Sequence, residues 1–220
     1  MSKQKLECRK VGAGEIFQCA QVVFDAFNAM AKADGSPAIP EVKIVSDRLT
    51  EYVNDTGIPG LLYGGFAGDE LVAFMMLRKL GIDEEAWEIS MLSVSPERQG
   101  EGFAGEMVEF ALGEILSFKG VLAVCAVTEG NVRALELFAR HGFESEASGV
   151  PVGEGLNIWM LRRDMRNKMA ADAAKAEAEA DEAREAEELA KMNISISCDS
   201  CGSAGTSACE GCASKDCGEK

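Results

Sequence analysis

Basic residues are scarce in this chain. There are 22 Lys and Arg against 37 Asp and Glu, a formal net charge of -15. A nucleic-acid partner needs clustered cations to meet the phosphates, so none is expected. The acidity reads first as a device for solubility and second as an attraction for cationic amines. Long apolar runs are missing as well: none approaches the roughly 20 residues of a membrane helix. The opening Met1-Ser2-Lys3-Gln4-Lys5 leads into no signal-peptide core, so the expectation is no membrane and a cytoplasmic setting. Histidine occurs once. His141 stands just before Gly142 at the end of a helical pattern and reads as a capping residue rather than a base.

What the chain has is enough apolar material for a core, 47% of its 220 residues. Composition divides it into three. Residues 1–163 read as a mixed α/β domain, residues 164–192 as an Ala/Glu/Lys-rich helix, and residues 193–220 as a small-residue, Cys-rich tail. Ile16, Cys19/Ala20, Val23, Phe27 and Met30 share one helical face. After Pro40, Val42, Val45, Leu49 and Tyr52/Val53 form a second. "LLYGGFA" (61–67), a Gly-Asp turn and "LVAFMMLRKL" (71–80) read as a hairpin, followed by a strand "WEISMLSV" (87–94). The next helix buries Ala104, Met107/Val108, Ala111, Ile115 and Phe118. "VLAVCAV" (121–127) has the continuous apolar character of a strand covered on both faces. Asn131 is a good N-cap and Gly142 a good terminator for a helix over 132–141, and "LNIWMLRR" (156–163) is a last strand. The sum is an α/β fold: a mixed sheet with helices packed on it.

The stretch Val94–Ala104 ("VSPERQGEGFA") thins its side chains at the point where a helix begins. The first N–H groups of a helix lack internal partners and carry about half a positive charge, so an anion can approach a bare backbone there. The dinucleotide and triphosphate-loop spacings both fail in "QGEGFA". A tight turn that lets helix and sheet pack closely is the competing explanation.

Gln99-Gly100-Glu101-Gly102-Phe103-Ala104 resembles the Gln/Arg-x-x-Gly-x-Gly/Ala motif of the GNAT superfamily of acyl-CoA-dependent N-acyltransferases. The lead-in "SMLSVSPERQ" is similar to that family's β4 strand and Pro-containing turn. "NVRALELFARHGFE" (131–144) looks like its Asn-x-x-Ala-x-x-Leu-Tyr-x-x-x-Gly-Phe segment. The resemblance covers about residues 5–163 and implies a GNAT-like fold with acetyl-CoA as cosubstrate. It implies that the cofactor diphosphate sits on Gln99, Gly100, Glu101, Gly102, Phe103 and Ala104, with Arg98 at the rim. The pantetheine arm would lie along Leu92, Ser93 and Val94, with Asn131, Ala134 and Phe138 flanking it.

The implied reaction is attack of a primary amine, of a small molecule or a protein, on a thioester. A Lys-type amine with a pKa of about 10.4 must first lose a proton. Glu88, eleven residues before Gln99, occupies the spacing at which some relatives carry that base. Strand alternation places Glu88, Ser90 and Leu92 on one face and Trp87, Ile89 and Met91 on the other. The competing reading of Glu88 is a solvent-facing residue near a strand start. One position departs from the family pattern: the Tyr that protonates the leaving thiolate in many relatives is Phe138 here. A catalytically weak acyl-CoA-binding protein with a metal- or redox-responsive tail is therefore the alternative function.

Cys8, Cys19 and Cys125 read as small buried hydrophobes. In the tail, Cys198-x₂-Cys201 and Cys209-x₂-Cys212 are two chelating pairs that could enclose zinc, although the spacer is short and Cys217 is left over. A flexible thiol-rich tail is the other reading. The 164–192 segment lacks a coiled-coil stripe; the pairs Lys175–Glu179, Arg184–Glu188 and Glu187–Lys191 give it i,i+4 support, and it reads as a solvated spacer, with a partner-binding helix as the alternative.

Overall fold

A computed structural model describes residues 5–194 apart from 36, 55–59, 82–84 and 152–156. Its first long element is the helix α1, Ile16–Asp34, whose Ile16, Cys19, Ala20 and Val23 recur at helical spacing and are buried. It stops at Gly35, whose left-handed φ of 76° turns the chain while its N–H still reaches Ala31 O at 2.9 Å. Helix α2, Val42–Asn54, buries Val45 and Leu49.

Among the described residues seven strands follow or precede these helices: β1 (Glu7–Lys10), β2 (Gly60–Ala67), β3 (Glu70–Leu80), β4 (Ala86–Val94), β5 (Leu122–Thr128), β6 (Glu144–Pro151) and β7 (Asn157–Asp164). They form one sheet in the order β1-β2-β3-β4-β5-β7-β6. Every neighbouring pair is antiparallel except β4 with β5, which is parallel. The right-handed crossover rule makes α3 (Phe103–Ser117) the natural link between those two strands. Helix α4 (Val132–Arg140) joins β5 to the outer hairpin β6–β7.

Each face of the sheet has its own core. Tyr63, Met75, Leu77, Trp87 and Ile89 pack with Met107, Val108, Ala111 and Ile115 of α3 and with Phe138 of α4. On the other face, Leu62, Phe74 and Met76 pack with Cys19, Ala20 and Val23 of α1 and with Val45 and Leu49 of α2. Truncating a fully buried residue such as Ile115 to Ala would cost about 2–5 kcal/mol. Gly120 is needed for close packing, since a Cβ there would stand 2.6 Å from Ile115 Cγ2 and from Trp87 Cδ1.

The two sequence expectations for the middle of the sheet need correction. β5 is not covered on both faces: Ala126 is exposed. The second helical layer accounts for this, because α1 lies chiefly on β3 and β4 and α2 on β2. A continuous apolar run does not by itself distinguish a strand with one open face. The strand alternation of β4 also breaks. Met91 adopts a left-handed φ of 53°, and the register with β3 slips between Phe74 and Met76. This bulge shifts the parity by one residue. Leu92 therefore joins Trp87 and Ile89 on the α3 core, while Met91 packs with the α1–α2 core.

Two strands escaped the sequence pattern, β1 and β6. Both are sheet edges with largely polar, exposed residues. Beyond β7, helix α5 runs over Arg166–Ile194. It is stabilised by local pairs such as Lys175–Glu179 at 3.7 Å; Arg184 turns back to Asp181 at 3.0 Å rather than forward to Glu188. The chain divides between Ala170 and Ala171, inside α5, into two units. Among the described residues no helix is long and apolar enough to cross a membrane.

Candidate functional site

The parallel strands β4 and β5 are bonded over only three residue pairs: Ala86↔Leu122, Trp87↔Ala123 and Glu88↔Val124. Both strands continue, β4 held by β3 as far as Val94 and β5 held by β7 as far as Thr128. Past Glu88 they part, and β4 is left with one unpaired edge at the centre of the sheet. Unpaired strand backbone in an interior position is costly unless something else bonds to it. The Met91 bulge sits in this unpaired half. Ser93 is buried there and its hydroxyl donates to Met91 O at 3.1 Å. The Gln99 side-chain amide donates to Val94 O at 3.3 Å, tying the strand end to the turn that follows.

That turn is built from a short 3₁₀ segment, Pro96–Arg98, and two left-handed glycines, Gly100 (φ 87°) and Gly102 (φ 94°). Non-glycine residues pay steric strain there, which explains why both positions are glycine. Gly102 is the N-cap of α3, and its carbonyl accepts from the amides of Gly105 at 3.0 Å and Glu106 at 3.2 Å. Among the described residues the amides of Gly100 through Ala104 have no backbone acceptor. Space above Gly100 is open: a Cβ there would meet nothing within 4 Å. Free amides, open space and a helix N-terminus together make a seat for an anion.

Charge at the rim is already paired. Arg98 donates to Glu101 at 2.8 Å and to Glu70 at 2.7 Å, and lies over the Phe103 ring at 5.3 Å. The guanidinium holds the Glu101 carboxyl below its ordinary range. Glu101 thereby presents a neutralised rather than a bare negative charge beside the turn.

Glu88 lies on the α1–α2 side of the sheet, opposite Arg78 of β3. Arg78 Nε and Nη2 both donate to Glu88 Oε2, at 2.9 and 2.5 Å, and the Glu88 side chain is 18% exposed. Both donors use one oxygen, so Oε1 keeps its lone pairs for another partner. Arg78 was readable only through strand register, since nothing in local sequence links it to Glu88. Close by, burial and then the Glu88 charge push the Cys125 thiol up. Burial also raises Cys8 to about 11 and Cys19 to about 12, so all three are held as neutral thiols.

Helix α4 borders the same region. Asn131 caps it, its Oδ1 accepting from Ala134 N at 3.1 Å, while its Nδ2 reaches Met30 Sδ of α1 at 3.4 Å. Ala134 packs against the α3 core. Phe138 is 4% exposed, with its ring edge-on to Phe143 at 5.0 Å, and it has no proton to give. The first turn of α3 lies against the C-terminal end of α4, where a Cβ on Gly105 would stand 3.5 Å from His141 Cε1. His141 Nδ1 bonds Leu137 O at 2.8 Å, so the imidazole serves the helix end as expected. Cys198, Cys201, Cys209 and Cys212 lie outside the described residues; among the described ones no cluster of His, Cys, Asp or Glu could hold a metal ion.

The sequence model of the Acetyltransferase (GNAT) family matches residues 33–143, a span containing α2, the split strands, the glycine turn and α4. The chain belongs to the GNAT acetyltransferase family. Among curated protein sequences nothing matches it. Solved GNAT acetyltransferases share its fold. The PaiA N-acetyltransferase of Thermoplasma acidophilum, in complex with coenzyme A, superposes with a TM-score of 0.59 at 14% identity, covering 73% of this chain and 99% of its own. The spermidine N-acetyltransferase of Vibrio cholerae, in complex with CoA and spermine, gives 0.58 at 15% identity, with 72% and 95% covered. A chimera of the Vibrio cholerae enzyme SpeG with hSSAT gives 0.60 at 15% identity, with 74% and 98% covered. At such identities the likeness is one of fold. In this GNAT chain the split sheet and the glycine turn are the parts that the fold brings side by side.

Proposed function

We propose that the protein transfers an acetyl or other short acyl group from its CoA thioester to a primary amine. The observation that carries this reading is the conjunction of an unpaired β4 edge with a turn of free amides at its end. The residues fit such a cosubstrate. Gly100 through Ala104 would seat its diphosphate on backbone N–H groups, while the Gln99 amide, expected to join them, is already bonded to Pro96 O at 3.4 Å. The edge at Leu92, Ser93 and Val94 would take its amide-bearing arm as an added strand. Asn131 and Ala134 would border the arm. When bound, the thioester supplies the acyl carbon that the amine attacks.

The chain's own part is proton handling and orientation. Glu88 takes the proton from the ammonium, directly or through water, a contribution of about 10²–10⁴ in rate. Arg78 fixes the carboxylate by holding Oε2 and leaves Oε1 for the proton. A backbone N–H at the Met91 bulge polarises the carbonyl. Phe138 cannot protonate the thiolate, so that proton comes from water or from another group. The same residue supports a second reading, a domain that binds acyl-CoA but turns over slowly.

The acceptors acted on by structural relatives make polyamines the first amines to try. Protein freed of its Cys-rich tail would be given acetyl-CoA and a pool of amines, with released thiol followed. Thiol release dependent on one amine is the expected result. Stabilisation by CoA with no release from any amine would establish the binding-only reading instead.

A further inference from the structure

Among the described residues, two buried side-chain polar atoms have no hydrogen-bond partner, Ser90 Oγ and Trp159 Nε1. Folded chains rarely leave such groups unmet without a reason, such as a ligand or water that completes them. Neither atom is scattered at random. Ser90 lies on β4 two residues past Glu88, the last residue of that strand paired to β5. Trp159 lies on β7 directly opposite Val127, which is on β5 beyond Val124, the other member of that last pair. Ser90 therefore stands in the half of β4 past its last pair with β5, and Trp159 stands across β5 on the next strand, level with the stretch of β5 that has left β4.

They stand on opposite faces. Ser90 is registered with Met76, a residue of the α1–α2 core, and alternation gives it the face of Glu88. Trp159 packs against the α3–α4 core with Val127. The glycine turn opens into α3, on that second face. The two unmet groups thus divide between the base side and the cofactor side of the split. Their chemistry differs in the same sense. An indole N–H only donates and demands an oxygen acceptor, whereas a hydroxyl can accept from an amine.

The geometry points to Trp159 and Ser90 as paired positioning residues of the split. Trp159 Nε1–H donates to a carbonyl oxygen of the CoA arm, and Ser90 Oγ accepts from the acceptor amine beside Glu88. Neither group makes or breaks a covalent bond. This rests on the acyl-transfer reading above, and the test separates the two. The chain has only two tryptophans, so its indole N–H signals are two. Titration of ¹⁵N-labelled protein with CoA should move the Trp159 indole proton downfield and leave that of Trp87 in place. Trp159→Phe assigns the signal, and Trp87→Phe assigns it by elimination if the first variant folds poorly. Calorimetry on Trp159→Phe should show CoA affinity about tenfold lower, the loss of one hydrogen bond. Ser90→Ala should raise the KM of the amine about tenfold at unchanged CoA affinity, with Ser90→Thr restoring it. A saturating CoA titration that moves backbone signals of the glycine turn but not the Trp159 indole would overturn the tryptophan contact while leaving acyl transfer standing. An unchanged amine KM in Ser90→Ala would overturn the serine contact in the same way. Absence of any CoA binding would remove the acyl-transfer reading and both contacts with it.

Discussion

The two halves of β4 differ in one respect that organises the site. Ala86, Trp87 and Glu88 are bonded to strands on both sides, whereas the residues from Ile89 to Val94 are bonded only toward β3. Side-chain burial hardly differs between them, since Trp87, Ile89 and Val94 all lie in the same core. The difference is in the backbone. The strand edge is left unpaired in the middle of the sheet, beside the Met91 bulge and the divergence of β5 toward β7, and the proposed function uses it as a docking edge. In the proposed reaction the paired half fixes the base, and the unpaired half takes the ligand.

The largest effect on this division should come from the paired half. Glu88→Gln keeps the shape and the bond to Arg78 but cannot accept a proton, so kcat should fall by about 10²–10⁴ while CoA affinity stays as it is. Steady-state kinetics beside calorimetry checks both. On the ligand side, Gly102→Glu forces a side chain onto a φ of 94° and puts a negative charge at the seat. CoA affinity should drop by about a hundredfold or more, on the order of 3 kcal/mol, and the CoA-induced rise in Tm should vanish. Arg78→Gln should cost less, about tenfold in kcat with CoA binding intact, because it frees the Glu88 carboxylate without removing it.

Much of this was legible in the chain and some was not, for physical reasons. Helices α1 to α4 announce themselves through apolar spacing and through Asn131 and Gly142 at the ends of α4. The glycine turn is visible because left-handed backbone demands glycine, and sequence records that demand directly. The bulge at Met91 left no such record: a single added residue shifts which face Leu92 meets without changing composition. The open face at Ala126 and the Arg78–Glu88 pair likewise depend on which strands are neighbours, information that exists only after the sheet assembles. Strands β1 and β6 hid because edge strands need no apolar alternation.

The smallest expected effect lies far from the split and serves as its control. Hydrogen bonds from Arg9 and from the Gly12 amide hold the Glu15 carboxyl down at about 2, against an ordinary 4.5. Its contribution to stability is complete above the unfolded value and is lost as pH falls toward about 2. A shallow decline of Tm over that window, diminished in Arg9→Ala, should appear equally with and without CoA.

Backbone hydrogen exchange over residues 86–104, with and without saturating CoA, tests the division of β4 most directly. The amides of the unpaired half that face away from β3, and those of Gly100 through Ala104, should gain protection on binding, while those of Ala86 to Glu88, already bonded on both sides, should not change. Protection spread evenly along β4, or confined to its first three residues, would contradict the account.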